Sequence, residues 1–558
     1  MSEVLTHLRQ ALPQTKIRSS SEGFWLSARD APMLLNVGDR IDLKWTAEAL
    51  RFATNRRRAK EVQADLSRKV RSICQGGRSV AEQFLSDMDN LGVLDDHQWV
   101  NVASMTLPNG YGLCLFDEQG SGKTVTLIFT FDVLVSRDEV DCVLIVAPKS
   151  MVPEWQTDFD RFTKGLYRSE ILVGSAQEKR KTLSERADVL VTNFETAVTM
   201  EYELQNMLRS YQGRAMLVVD ESFNIKNLDA KRTRSLRRLR EWCDRSFVLC
   251  GTPAPNAPHD LIQQINLVDF GLTFDGIAIP EDRHEAQAIV QQAIEGQGIF
   301  VRHLKAEVLP NLPPRHFNLI SVPLADEQQQ LYINALQGLI LDLRSSNDQT
   351  FQRELKSFLA RRNALLQICS NPKSIVSSYV ETPSKLNALE ELLREMIGNR
   401  REKVIVWSFY TASLEAIFQR FSAYNPVRYD GSINDVRLRR DAVRRFQEDD
   451  TTMLFVGNPA AAGAGLTLHS ARFAIYESMS NQSAHYLQSL DRIHRRGQTR
   501  TVEYYVLLCE KTIDVIEYER LMSKERSAQE LLGDSTTPVL TRESMLEEAI
   551  GMMRLIEI

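Results

Sequence analysis

Tyr111-Gly112-Leu113-Cys114-Leu115-Phe116-Asp117-Glu118-Gln119-Gly120-Ser121-Gly122-Lys123-Thr124-Val125-Thr126-Leu127-Ile128 is the stretch on which the reading of the fold turns. Its first six residues read as a buried strand, its last four as the start of a helix, and the glycines between them as a turn. A strand, a glycine turn and a helix N-terminus together make a phosphate cradle, because backbone N–H groups and the positive helix end face the anion. In that setting Lys123 reaches the β- and γ-phosphates of a nucleotide, and Thr124 holds magnesium. The strict pattern asks for glycine at position 117, where this chain has aspartate. The loop is therefore the shorter Gly-x-Gly-Lys-Thr form, for which a glycine turn beside a stray lysine is the competing reading.

About a hundred residues on, Ala215-Met216-Leu217-Val218-Val219 runs into Asp220-Glu221. An apolar run ending in two carboxylates describes a buried parallel strand whose C-terminal tip carries acid, and that is where ligands sit in open α/β sheets. Asp220 is expected to hold the magnesium and Glu221 to polarise an attacking water. For the pair in isolation, an exposed acidic strand end is the plainer alternative. Further along, Arg492 and Arg495 are three apart, hence on one helical face, and can point together at one anion. An arginine brought onto a γ-phosphate is worth on the order of 10³–10⁵ in rate. An arginine-rich helix alone is more often a solvated face.

Taken in order, these segments and others resemble the Swi/Snf family of ATP-dependent double-stranded-DNA translocases in helicase superfamily two. The phosphate loop is similar to that family's Asp-Glu-x-Gly-x-Gly-Lys-Thr, and Val143 to Ser150 followed by Trp155 is similar to its motif Ia. Leu190-Val191-Thr192-Asn193-Phe194-Glu195, Asp220 to Asn227 and Cys250 to Asn256 resemble the next nucleic-acid segment, motif II and motif III. Phe300 to Lys305, running on to Arg315, resembles the arginine-rich linker. Lys403 to Phe409, Tyr429-Asp430-Gly431-Ser432, Gly463 to Leu468 and Gln488 to Gln498 resemble motif IV, a phosphate-facing turn, motif V and motif VI. The likeness runs from about Asp95 to about Asp534.

The resemblance implies ATP and Mg2+ as cofactors. It implies an ATP-binding set of Gln98, Glu118, Gly120, Ser121, Gly122, Lys123, Thr124, Gly465 and Gln488, with Gln98 reading the adenine. Lys123, Asp220, Glu221, Arg492 and Arg495 are the implied catalytic residues, and Thr124 and Asp220 the implied metal ligands. Lys149, Ser150, Thr192, Asn193, Lys226, Ser408, Gly431 and Ser432 are the implied nucleic-acid contacts. Phe223, Gly251, Thr252 and Gln498 would couple nucleotide to DNA. The implied mechanism is a motor in which two lobes close on ATP, open after hydrolysis and step along duplex DNA without separating its strands. The chain departs from the family at Phe223, which stands where motif II usually has histidine, and at Ser480-Asn481, near which a tryptophan is usual.

Strands alternate with helical patterns from residue 91 to 270 and again from 384 to 510. The expected fold is α/β: two RecA-like parallel-sheet lobes over those ranges, with linker and helical insertions at 271–383. A small accessory region (1–90) precedes them, with short strands at Phe24-Trp25-Leu26 and Ile41 to Trp45 and a helical stretch from about 47. A brace helix and tail follow at 511–558, the helix over Thr512 to Leu532. With 43% hydrophobic and 25% charged residues the composition is that of a soluble globular protein. Seven scattered cysteines without metal-ligand spacing point to a reducing cytoplasm and no structural metal. No apolar run approaches the roughly 20 residues of a membrane span, and no signal-peptide pattern is present. A net charge of −5 means that a DNA-facing surface must be local. Lys231 to Arg240, the arginines from Arg437 to Arg445, and Arg56-Arg57-Arg58-Ala59-Lys60 are the basic clusters available.

The favoured function is a DNA-stimulated ATPase that translocates on double-stranded DNA or remodels protein–DNA complexes there. No nuclease motif stands outside the ATP site, and the compact length points to a bacterial or phage source. Residues 1–90 are the expected docking region for a protein partner. Two alternatives stay open: an ATP-gated protein that binds DNA or RNA polymerase with slow turnover, and a strand-separating helicase.

Overall fold

The computed structural model describes residues 18–20, 23–25, 34–35, 45–88, 91–225, 227–251, 253, 259–280, 282–433, 436–461, 466–479, 483–530 and 542–557. They form two compact units, the first drawn mainly from residues up to His303 and the second mainly from Leu304 onward.

In the first unit a two-stranded ribbon, β1 (Arg18–Ser20) and β2 (Gly23–Trp25), precedes the long helix α1 (Ala47–Phe84) and then α2 (Asp96–Met105). The expected strand at Ile41 to Trp45 lies almost wholly outside the described residues. The chain continues through β3 (Gly112–Leu115), α3 (Lys123–Ser136), β4 (Cys142–Ala147), α4 (Val152–Thr163), β5 (Ser169–Ile171) and β6 (Val189–Asn193). β7 (Ala215–Asp220), α5 (Lys231–Arg240), β8 (Arg245–Leu249) and β9 (Phe300–Val301) follow. The seven strands lie in the order β5-β6-β4-β7-β8-β3-β9, every pair parallel. Every residue of β4 and β7 is buried. This explains their unbroken apolar runs, since a parallel strand is covered on both faces and has no solvent side to mark with polar residues.

α1 is capped by the Thr46 hydroxyl, which accepts from Ala49 N at 3.2 Å, and is interrupted at Gly77, whose φ of 62° breaks the helical ladder. It packs along α2. Its Gln63 amide donates to Thr273 at 3.0 Å and Asp269 at 3.3 Å, and Arg56 and Lys60 pair with Asp275 at 2.7 and 3.1 Å. The helical part of the region set apart as accessory is therefore packed on the first lobe.

The second unit carries β10 (Arg315–Val322), α6 (Asp326–Ser345), α7 (Asp348–Ser370), β11 (Val404–Trp407), β12 (Val427–Tyr429) and α8 (Val436–Glu448). β13 (Leu454–Gly457), β14 (Phe473–Tyr476), α9 (Ser483–Leu490), β15 (Val502–Cys509), α10 (Ile513–Glu530) and α11 (Arg542–Glu557) complete it. Its six-stranded sheet is also parallel, in the order β10-β15-β14-β11-β13-β12. The structure thus has the α/β architecture expected, two parallel-sheet lobes with helical insertions.

α10, the expected brace helix, packs on α7, α9 and β15. The segment read as a tail contains α11, whose Met545, Ala549 and Met552 enter one apolar cluster with Tyr332, Leu336 and Leu343 of α6 and Phe358 and Leu365 of α7. Tyr332 binds this cluster together: its oxygen accepts from Ile513 N at 2.8 Å, and its hydroxyl lies 3.3 Å from Met552 Sδ. Arg362 of α7 pairs with Glu548 of α11 at 2.7 Å and with Glu517 of α10.

Met552 is 2% exposed, so Met552→Ala removes buried volume and leaves a cavity. The expected outcome is a loss of about 2–5 kcal/mol in the unfolding free energy of the second unit, read by urea denaturation.

Candidate nucleotide site and nucleic-acid interface

The phosphate loop joins the C-terminal end of β3 to the N-terminus of α3. Gly120 and Gly122 have φ of 83° and 87°, a left-handed backbone that glycine adopts without steric cost. At Gly122 the need is also one of space: a Cβ there would lie 2.3 Å from Gln98 Nε2. Lys123 opens α3, and its ammonium donates to the carbonyls of Asp117 at 2.8 Å and Glu118 at 3.0 Å. Thr124 follows in the first helical turn, half-buried, and Ser121 is buried. Gln98, named for adenine, is buried in the first turn of α2, where its Oε1 accepts from Asp95 N at 2.9 Å. Its Nε2 donates to Gly122 O at 3.2 Å, which fastens α2 to the loop.

At the tip of β7, Asp220 is buried and takes two hydrogen bonds: Trp155 Nε1 donates to Oδ2 at 2.9 Å and Glu221 N to Oδ1 at 2.9 Å. Burial pushes its carboxyl above the usual carboxylate range, against the Trp155 hydrogen bond and the Lys123 charge. Leu115 at the end of β3 and Asp220 at the end of β7 both pair with Leu249 of β8, which sets the phosphate loop and the acidic tip two strands apart on one edge of the sheet. Glu221 is buried and has a φ of 48°, unusual for a residue with a Cβ and a strain of about 1–3 kcal/mol. Asn224 holds the strained residue by donating to its carbonyl from N at 3.1 Å and Nδ2 at 2.9 Å. The donor set of a threonine hydroxyl and a carboxylate is hard oxygen, which suits Mg2+. Trp155 was legible only as part of a motif; its hydrogen bond spans 65 residues and has no local signature.

In the second unit Arg492 and Arg495 do converge, but a helix does not bring this about. α9 ends at Leu490, and the two arginines lie in the turns that follow. The Leu466 carbonyl gathers them, accepting from Arg492 Nη1 at 3.4 Å and Arg495 Nη1 at 3.2 Å, while Arg495 also reaches Thr467 Oγ1 at 2.6 Å. The linker residue Lys305 is buried here, paired with Asp491 at 2.6 Å and donating to His494 O. Gln488 is buried on α9. Gln498 donates to Ala471 O at 2.9 Å and accepts from Thr499 N and Arg500 N, so its amide holds the loop before β14. Phe223 is half-buried in the turn Ser222–Ile225, and Gly251 is buried after β8. Gly465, Thr252 and Lys226 lie outside the described residues.

The nucleic-acid set divides by exposure. Lys149, Gly431 and Ser432 are exposed, and Ser150 and Asn193 half-buried, with Asn193 Oδ1 capping the next helix from Thr196 N at 2.9 Å. Two residues are buried. Thr192 is fully buried in β6, a strand covered on both faces. Ser408 is fully buried at the end of β11, its hydroxyl 2.7 Å from Glu477 Oε2 and 3.1 Å from Ser478 Oγ.

The basic clusters are similarly reduced. Beyond Arg56 and Lys60, which meet Asp275, Arg238 pairs with Glu201. Arg240 is buried, bonded to the carbonyls of Tyr111, Leu267, Val268 and Cys243. Arg439 of α8 donates to Ile433 O at 2.7 Å and Asp430 O at 3.1 Å, so it shapes the Asp430-Gly431-Ser432 turn. No group of three or more potential metal-ligating side chains occurs among the described residues, and no described helix is long and apolar enough to cross a membrane.

Comparison with known proteins bears on these units. The SNF2-related domain model matches residues 48–374, and the helicase conserved C-terminal domain model matches 384–497. The lymphoid-specific helicase of Homo sapiens is 25% identical over 521 residues, covering 76% of this chain and 60% of that protein. The ATP-dependent helicase FUN30 of Saccharomyces cerevisiae is 24% identical, covering 80% and 48%. An uncharacterized ATP-dependent helicase of Mycoplasma genitalium, MG018, is 26% identical, covering 76% and 40%. The chain spans between two-fifths and three-fifths of the length of these relatives. Among solved structures, the Sulfolobus solfataricus SWI2/SNF2 ATPase core in complex with dsDNA is 19% identical. It covers 81% of this chain and 99% of its own, with a TM-score of 0.36.

The raised Asp220 carboxyl carries a pH signature. For a group raised in the folded state, the associated stability is present below the unfolded value and lost as pH rises through the folded one. Wild-type protein without nucleotide should therefore gain thermal stability relative to Asp220→Asn as pH falls through the raised folded value of Asp220 toward its unfolded one. Differential scanning of the pair across that range checks the sign.

Proposed function

Given that this chain belongs to the SNF2-related domain family, we propose that it is an ATPase, stimulated by DNA, that translocates on double-stranded DNA or remodels protein–DNA complexes there. The observation that carries the proposal is the first unit's assembly of Lys123, Thr124, Asp220 and Glu221 at the C-terminal ends of parallel strands. The paired Arg492 and Arg495 of the second unit support it.

The division of labour follows from the chemistry of each group. The α3 N-terminus and the glycine turn bind the phosphates, and Lys123 exchanges its two carbonyl partners for phosphate oxygens. Thr124 and Asp220 would hold Mg2+, which when bound supplies charge neutralisation at the β- and γ-phosphate oxygens. Glu221, fixed by its strained backbone, orients the water and takes up its proton. Arg492 and Arg495 stabilise the negative charge of the transition state. Lys149, Gly431 and Ser432 are the exposed candidates for phosphate-backbone contact, which would position the protein without reading sequence.

A second reading rests on Phe223, which has no polar atom with which to report DNA engagement: an ATP-gated binder of DNA or RNA polymerase with slow turnover. Steady-state hydrolysis with no nucleic acid, single-stranded DNA, duplex DNA or RNA separates the two. Stimulation by duplex DNA, reduced at least about a hundredfold by Glu221→Gln, is the expected outcome. Slow turnover indifferent to every nucleic acid would favour the binder. Strand displacement in a parallel assay would move the activity to a strand-separating helicase.

A further inference from the structure

The residue that breaks the strict phosphate-loop pattern is built into the site. Asp117 is 1% exposed, and its carboxylate takes three hydrogen bonds. Asn101 Nδ2 of α2 donates to Oδ2 at 2.6 Å; His303 N donates to Oδ1 at 2.8 Å, and the His303 ring Nδ1 lies 2.9 Å from the same oxygen. The backbone carbonyl of the same Asp117 accepts from Lys123 Nζ at 2.8 Å. Around it the linker is zipped to the loop: Phe116 N donates to Val301 O at 2.9 Å, Glu118 N to His303 O at 3.1 Å, and Arg302 Nη1 to Phe116 O at 2.9 Å. The His303 ring also meets the His97 ring edge-on, with centroids 5.6 Å apart.

A glycine at 117 would keep the backbone bonds and supply none of the three that the carboxylate takes. An unpaired buried carboxylate would not remain there, because burying a charge without donors is unfavourable. The triad of donors therefore explains both why an acid is tolerated and what it does. It fixes the start of the loop, and with it the carbonyl that aims Lys123, to a segment 186 residues away in sequence.

We propose that Asp117 and His303 are a positioning pair for the nucleotide site: their hydrogen bond sets the phosphate loop and Lys123 in the geometry that binds ATP. Neither residue touches the reacting atoms; both act through the loop. This rests on the ATP-binding reading above.

The test is equilibrium binding of a fluorescent ATP analogue with Mg2+ to the full chain, with thermal midpoints recorded in parallel. His303→Ala is expected to weaken binding about tenfold with little change in midpoint, while His303→Asn, which restores a side-chain N–H, recovers most of it. Asp117→Ala should weaken binding at least as much, and the double variant Asp117→Ala/His303→Ala no more than Asp117→Ala alone, since the bond to the His303 ring is already gone in it. In steady state the loss should fall on KM for ATP more than on kcat. Binding by His303→Ala equal to wild type, or losses that simply add in the double variant, overturn the proposal. Failure of the wild type to bind, or equal binding by Lys123→Ala, would instead strike the ATP-binding reading itself.

Discussion

An ionised carboxylate at the end of an apolar strand is costly to bury, by several kcal/mol after relaxation, and the first unit is arranged around that constraint at Asp220. Central parallel strands must be apolar along their length because both faces are covered, as β4 and β7 are. The chemistry, however, needs acid at their tips. Trp155 is the answer to this conflict. It is itself fully buried, yet it supplies an indole N–H to Asp220, while Lys123 supplies the compensating charge. The carboxyl stays raised even so, which leaves it ready to gain from a bound cation.

The second unit meets the same difficulty at Glu477, just beyond β14. Its carboxylate is buried and accepts from Ser408 at the end of β11 and from Ser370 at the end of α7. Beside it Lys385, 1% exposed, donates to Glu477 O at 2.8 Å and pairs with Asp514 at the start of α10. Burial alone would lower the Lys385 ammonium, but Asp514 and its neighbours outweigh it and the net shift is upward. Breaking a buried pair on one side typically costs about 3–5 kcal/mol. The C-terminal helix α10 is thus tied to the strand ends that carry motif IV and the segment after motif V.

What could be seen in the sequence, and what could not, divides along the same line. The β3–loop–α3 segment and β7 were legible because apolar runs, glycines and terminal charges are local signals. Trp155–Asp220, Asp117–His303 and Lys385–Asp514 were not, because each joins residues far apart in sequence. The burial of Thr192 and Ser408 was not legible for a related reason: small polar residues at strand ends look like surface, and their burial is decided by neighbours such as Glu477, 69 residues from Ser408. Arg492 and Arg495 show the converse. Their convergence was read from helical spacing, but the Leu466 carbonyl, not a helix, produces it.

Phe223 brings these considerations together. Phe223 stands in the turn Ser222–Ile225, within the segment that resembles motif II, at the position where that motif usually has histidine. It does not loosen Glu221, whose backbone is held by Asn224 through two bonds to one carbonyl. Nor does it isolate that turn from the segment after β8. Ser222 Oγ donates to Gln264 Oε1 at 2.6 Å, and Gln264 Nε2 donates to Pro253 O at 2.5 Å, all of it buried. A buried amide that satisfies donors and acceptors on both sides is a rigid connector, because giving up either bond leaves a polar group unpaired at about 1–3 kcal/mol. Motif II and motif III are therefore joined through the neighbours of residue 223, and an apolar side chain at 223 leaves that connection in place.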